Sequence, residues 1–205
     1  GIVHVGKALA RLAVMKDWPI VAAYNRAGDK VGQDLGRVCG LERDIGVIIE
    51  DSEVANYGNL KADIALIAVA DHLEKNFLIY QRMMSAGINV LCNGTESYHP
   101  RFCNSKVAEK IDALAKQHKV TFTGSGIWDT SRFWSGLLAT GPCIKIDSLV
   151  HTSATDVGRH GERYFEMVGV GMTPEEFQAK VVNKSGTAFN LFVLPSIVVL
   201  EKLGY

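Results

Sequence analysis

Asp63-Ile64-Ala65-Leu66-Ile67-Ala68-Val69-Ala70 is apolar from its second residue to its last. A run of that kind reads as a central parallel strand covered on both faces. Leu73 to Ala86 follows with helical periodicity and is stopped by Gly87, and Ile88 to Cys92 is apolar again. Strand, helix and strand with short connections make one parallel crossover unit. The same rhythm extends in both directions. Upstream, Lys7 to Met15 reads as a helix, Pro19 to Asn25 as a strand and Lys30 to Cys39 as a helical or irregular segment. Gly46 to Glu50 is a short strand, and Ser52 to Tyr57 a short helix capped by Asp51 or Ser52. Downstream, Asn104 to Lys119 is a helix and Val120 to Thr123 a strand. The expected fold class is therefore α/β, a Rossmann-type doubly wound parallel sheet over residues 1–126. Such a sheet begins with a strand before its glycine turn, whereas Gly1 already stands in the turn. A strand is expected upstream of it.

Past Gly126 the character changes, and residues 127–205 are expected to form a partial α+β domain for substrate binding and dimerisation. Ile127 to about Thr140 reads as a helix and Lys145 to Ser153 as an alternating strand. Met172 to Phe177 carries a helix start in full: Thr173 as N-cap, Pro174 at the first position, Glu176 closing a capping box. Phe192 to Leu203 is a last apolar helix. The region is too poor in strands to close alone, so more chain or a partner subunit should complete it.

Composition narrows the partners. Lys plus Arg and Asp plus Glu each number 22, giving a net charge of zero. Nucleic acid and polybasic membrane contacts need a basic surface, so neither is expected. No apolar run is long enough to span a bilayer, and no secretion signal opens the chain, so the cytoplasm is the expected compartment. Cys39, Cys92, Cys103 and Cys143 show no metal-ligand spacing, and Cys39 and Cys92 read as buried thiols. The histidines do not pair into metal spacing either. As a catalytic histidine, His99 would be the first suspect.

Two stretches carry chemistry. The first is the turn from Gly1 through Val5 and Gly6 into a helix, where unpaired amides and the helix dipole would meet a pyrophosphate. Gly1 and Gly6 keep the outer spacing of the dinucleotide fingerprint, but Val3 stands at its middle glycine. About 20 residues on, at the tip of the next strand, stand Asn25 and Arg26 instead of an acid. An Asp there would repel a 2′-phosphate, whereas Asn beside Arg accepts one; this leans to NADP(H), with NAD(H) also usable. The alternative is that Arg26 is a solvated loop residue.

The second stretch is Asn89 to Pro100, a strand that ends in Asn93-Gly94-Thr95-Glu96. Ligands of open α/β sheets collect outside the carboxyl ends of the strands, which makes Glu96 the candidate acid or base. Asn93 and Gly94 would border the nicotinamide ribose, and Ala70 and Asp71, at the end of the preceding strand, the cofactor. The competing reading is that Glu96 caps the helix after it.

Ile88 to Pro100, Gly124-Ser125-Gly126 and Gly169 to Phe177 resemble the 2,4-diaminopentanoate dehydrogenase group, and more narrowly the amine dehydrogenases related to it. The resemblance implies a dihydrodipicolinate-reductase-like architecture, usually homodimeric. It implies interconversion of a small ketone or aldehyde plus ammonia with a primary amine, at the expense of NAD(P)H. The family's catalytic glutamate follows the strand matching Ile88 to Cys92, and Glu96 is the matching position. Many relatives carry two adjacent acids there; this chain has Thr95-Glu96.

The chemistry itself asks for such a group. Hydride leaves an amine carbon only when nitrogen is neutral, and an alkylammonium, like lysine, has a pKa of about 10.4. A carboxylate desolvated beside aromatic rings is a better base than an exposed one at about 4.3. Trp128, Trp134 and Tyr164 are the candidate wall, with Phe133 reading as ordinary core. With Arg132 the only cation nearby, simple amines are favoured over diamino acids. A 2,4-diaminopentanoate or other diamino acid dehydrogenase stays open, as does a non-catalytic NADP-binding sensor. Sugar-type oxidoreductases are disfavoured, since no lysine follows Glu96.

Overall fold

The computed structural model describes residues 2–70, 72–152, 154, 156–159, 165–166, 168–182 and 187–205, with the backbone alone at 95, 127–130, 159 and 187–192. Contacts divide the chain into two compact units, Gly1–Gly126 and Ile127–Tyr205.

In the first unit helices and strands alternate: α1 His4–Met15, β1 Ala23–Asn25, α2 Leu35–Val38, β2 Ile49–Asp51, β3 Ile64–Ile67, α3 Leu73–Ser85 and β4 Asn89–Cys92. α4 Thr95–Tyr98, α5 Pro100–Cys103, α6 Ser105–His118 and β5 Phe122–Gly124 complete it. All strand pairings are parallel, in two ladders, β1-β2 and β3-β4-β5. This is a doubly wound α/β fold. Within each ladder neighbouring strands are joined by helical crossovers: α2 between β1 and β2, α3 between β3 and β4, and α4 to α6 between β4 and β5.

The main core lies between β3-β4-β5 and the helices α3 and α6. Leu73, Tyr80, Met83 and Met84 of α3 meet Val90 and Cys92 of β4 and Val107 and Ile111 of α6, all buried. Those α3 positions recur at helical spacing, so one face is apolar and one is not. The Tyr80 ring meets Phe122 edge-on at 4.9 Å between centroids. A smaller cluster of Ile2, Ala23, Leu35, Cys39 and Ile49 sits under β1-β2.

Three expectations for this unit need correction. The 63–70 run is a strand only over Ile64–Ile67, and it is not covered on both faces: Ile64 is 50% and Leu66 37% exposed. Apolar sequence cannot show which cover a face receives. The strand before α2 is confined to Ala23–Asn25. Residues 52–57 form no α-helix. Asp51 Oδ1 accepts the Glu53 N–H, closing a turn, and a 3₁₀ turn follows at Tyr57–Asn59. The short polar side chain offers the backbone a turn in place of a helix.

Asp34 shapes the loop between α2 and β2. Its carboxylate accepts the backbone N–H groups of Gly36 at 2.7 Å, Ile45 at 3.1 Å and Gly46 at 2.9 Å. Desolvation pushes this carboxyl upward, but the amide donors outweigh it and hold it below its ordinary value. A depressed acid contributes stability that is present above its unfolded-state pKa, about 3.9, and lost as pH falls through the folded value. Asp34→Ala should therefore melt below the parent at neutral pH, with the gap closing below about pH 4. A gap in melting temperature that stays constant from pH 7 to pH 3 would show that the charge is not what holds the loop.

The second unit is helical where described: α7 Ile127–Thr140, a 3₁₀ turn Val157–Arg159, α8 Pro174–Phe177, a π turn Gln178–Val182 and α9 Thr187–Lys202. The expected capping box is present, with Thr173 Oγ1 accepting the Glu176 N–H at 3.2 Å and Glu176 Oε2 accepting the Thr173 N–H at 3.1 Å. α7 and α9 pack where Gly136 faces Val199, and a Cβ at 136 would stand 2.7 Å from Val199 Cγ2. Residues 145–152, expected as a strand, make no ladder. Ile144 and Val150 are exposed there, and the Ile146 N–H donates to the Tyr205 hydroxyl at 2.7 Å. An alternating pattern makes a strand only where a neighbouring strand accepts its amides.

Candidate active site

Strand register sets the site. Ile67 pairs with Cys92, and Cys92 with Gly124, so β3, β4 and β5 end in one row. The segments that leave them lie along one rim. The Asn93 N–H reaches back to Ile67 O at 3.3 Å, and the Ser125 N–H to Cys92 O at 2.7 Å. From this rim α4 carries Glu96, whose side chain is 12% exposed.

Glu96 Oε2 accepts the backbone N–H of Leu73 at 2.9 Å. Leu73 is the first residue of α3, and its N-cap, His72, makes no side-chain cap of its own. The carboxylate thus caps the helix before it, where an unpaired amide and the helix dipole favour negative charge. Glu96 itself lies within α4, and the next helix, α5, has His99 as its N-cap. The His72 ring completes the arrangement, with Nδ1 3.9 Å from Glu96 Oε1 and the side chain 38% exposed. His72, which the sequence did not single out, is thus a histidine that the structure sets beside Glu96. The signal available in the sequence was its place five residues past β3.

Behind Glu96 the anchor is buried. Ser97 is 1% exposed, and its Oγ lies 3.3 Å from the Tyr80 hydroxyl. Burial, then the neighbouring Cys92, pushes the Tyr80 phenol far above its ordinary range, so it stays protonated. Asn76 Nδ2 donates to Ala70 O at 2.7 Å and ties the end of β3 to α3. Gly94 is buried and its carbonyl accepts the Tyr98 N–H at 3.1 Å. α4 is thereby tied to α3 at two points, through Glu96 to Leu73 and through Ser97 to Tyr80.

At the other end of the unit, α1 begins at His4 with Val3 as N-cap and no side-chain cap. Val5 and Gly6 lie in its first turn. Ile2 is tied down on both sides: its N–H donates to Asn25 Oδ1 at 3.0 Å, and its carbonyl accepts from Lys30 Nζ at 3.0 Å. Asn25 Nδ2 donates to Arg26 O. The Asn25 carboxamide is thus engaged with backbone, and Arg26 beside it is exposed. Lys30 adds a second cation that the sequence did not single out. An uncapped helix start flanked by Arg26 and Lys30 suits the donor chemistry of a dinucleotide phosphate.

Of the other expected site residues, Gly1, Asp71 and Tyr164 lie outside the described residues, as does the Trp128 side chain. Trp134 is 56% exposed on α7 and meets Phe133 edge-on at 5.8 Å. Cys39 and Cys92 are buried and in no disulfide, as expected of buried thiols.

Parallel strands joined by helical crossovers make this a Rossmann-like α/β fold. More particularly, the chain is similar to a 2,4-diaminopentanoate dehydrogenase and to an amine dehydrogenase. It is 29% identical over 122 residues to 2,4-diaminopentanoate dehydrogenase of Acetoanaerobium sticklandii, covering 58% of this chain and 34% of that protein. It is also similar to the solved structure of an amine dehydrogenase from Mycobacterium smegmatis, with a TM-score of 0.79 and 26% identity, over 97% of this chain and 58% of that one. The chain thus spans about a third of the one relative and 58% of the other. No family model matches it.

Proposed function

We propose that the full-length protein is an NAD(P)-dependent amine dehydrogenase. It interconverts small ketones or aldehydes plus ammonia with primary amines, and it prefers NADP(H). The observation that carries the reading is the Glu96 carboxylate, nearly buried at the strand-end rim and oriented by the Leu73 amide. A base held in one orientation acts without paying reorganisation during the reaction. In deamination Glu96 takes a proton from the substrate ammonium; in amination it holds the ammonia and faces the iminium charge. The nicotinamide supplies or accepts the hydride when bound. Arg26 and the start of α1 hold the phosphates. Ala70, Asp71, Asn93 and Gly94 border the nicotinamide end, and residues 127–205, with Trp128, Trp134 and Tyr164, supply the substrate pocket.

Exposed Leu138, Ile144 and Val150 in the second unit support a homodimer. No helix among the described residues is long and apolar enough to cross a membrane. Its free cysteines fit a reducing cytoplasm. The name of the Acetoanaerobium relative supports a second reading, a diamino acid substrate.

The test is NADPH consumption by the full-length protein with ammonium and a panel of aldehydes and short or cyclic ketones, and the reverse reaction with simple amines and 2,4-diaminopentanoate. No ammonia-dependent turnover with any of them would sink the proposal. In the same assay Arg26→Ala should weaken NADPH by about 10- to 100-fold, the worth of a charge-assisted hydrogen bond, and NADH little. Equal loss for both cofactors would remove Arg26 from the phosphate site.

A further inference from the structure

We infer that His72 is the second member of a proton-handling pair with Glu96, relaying to solvent the proton that Glu96 takes from the substrate nitrogen. The inference rests on the amine dehydrogenase reading above and assigns a residue and an exit path to it. A nearly buried carboxylate that has accepted a proton must lose it before the next turnover. His72 has the required placement: Nδ1 is 3.9 Å from Glu96 Oε1, and the side chain is 38% exposed against 12% for Glu96. The separation exceeds a direct hydrogen bond by about 1 Å, a distance that a ring rotation or one intervening proton-bearing molecule can close. An imidazole ring nitrogen can take up a proton and give it up again.

The balance is simple. The N–H bond of the ammonium breaks as a Glu96 O–H bond forms. That proton passes to His72 Nδ1, restoring the carboxylate, and the ring then turns to solvent and gives the same Nδ1 proton to water, so Nδ1 is ready to accept the next one. No electrons move in these steps, and amination runs them in reverse. The charged groups around the ring are few among the described residues. Glu96 faces it from α4, and Glu74 lies in the first turn of its own helix. On α6, which packs along α3, Lys110 sits over Phe77 at 5.9 Å, more than a turn away.

The experiment is a pH–rate profile of amine oxidation by the full-length protein and its His72→Asn variant, with and without added imidazole. His72 is the N-cap of α3, and Asn is among the best N-cap residues, so this substitution removes the base without weakening the helix. A second variant, His72→Gln, guards against an effect peculiar to Asn. Both should lose roughly 10- to 100-fold in kcat near neutral pH, less than loss of the base itself. KM for the amine should change little, the slope of the profile should move to higher pH, and imidazole should restore part of the rate. Parent-like kcat and profile in both variants would overturn the relay, as would a loss that imidazole does not touch at any pH. A parent protein with no ammonia-dependent turnover would instead overturn the dehydrogenase reading, and the relay with it.

Discussion

Glu96→Gln in the full-length protein should lower kcat by about 10²–10⁴-fold in both directions, the range associated with a positioned acid or base. Melting temperature should stay near that of the parent. Glutamine is the informative substitution because the structure gives Glu96 two tasks. One is the proposed chemistry; the other is the hydrogen bond from the Leu73 N–H that caps α3. The glutamine carbonyl still accepts that N–H, so the cap survives while the base is gone. Glu96→Ala removes both and adds a cap loss of about 0.5–2 kcal/mol. In a chain of this size that lowers the melting temperature by roughly 2–4 °C per kcal/mol. Cofactor binding, which involves other residues, should hold in Glu96→Gln. If the glutamine variant keeps most of its rate, Glu96 is a helix cap and nothing more.

How far the site could be read in advance depended on distance along the chain. The capping box at Thr173 to Glu176 was legible because all its atoms lie within four residues. α3 was legible because its buried face repeats at the helix period. Glu96 stood out because an apolar run delivers it to the end of a strand. Its partners did not, since Leu73 and His72 reach it only through the register that sets Ile67 beside Cys92. That register is a property of two strands together. The same limit explains Lys145 to Thr152, where a strand pattern without a neighbouring strand among the described residues stayed irregular, and the exposed side of β3 at Ile64 and Leu66. Asn25 teaches a different point. Residue type suggested a phosphate ligand, while the fold spends its carboxamide on the Ile2 N–H.

Gly124 links the fold to the site most directly, and Gly124→Ala should be the most damaging small substitution in the first unit. A Cβ there would stand 2.0 Å from Tyr98 N, 2.3 Å from Ser97 C and 2.5 Å from Tyr98 Cα. All three are backbone atoms, so no side chain can swing aside. The backbone at 124 is not in the left-handed region, and the need for glycine is one of space alone. β5 has to pass directly under α4, and α4 carries Glu96. Overpacking of a core typically costs about 1–3 kcal/mol and more where nothing yields, so the variant should lose at least about 3 kcal/mol or fail to fold. Gly87→Ala is the control. Its φ of +77° strains an alanine, but nothing lies within 4 Å of the new Cβ. That should cost only about 1–2 kcal/mol, with activity kept. Chemical denaturation of both variants beside the parent would separate space from strain. A Gly124→Ala protein that unfolds with the parent would mean that β5 and α4 can part without cost. The close packing under Glu96 could then not be what holds the carboxylate in place.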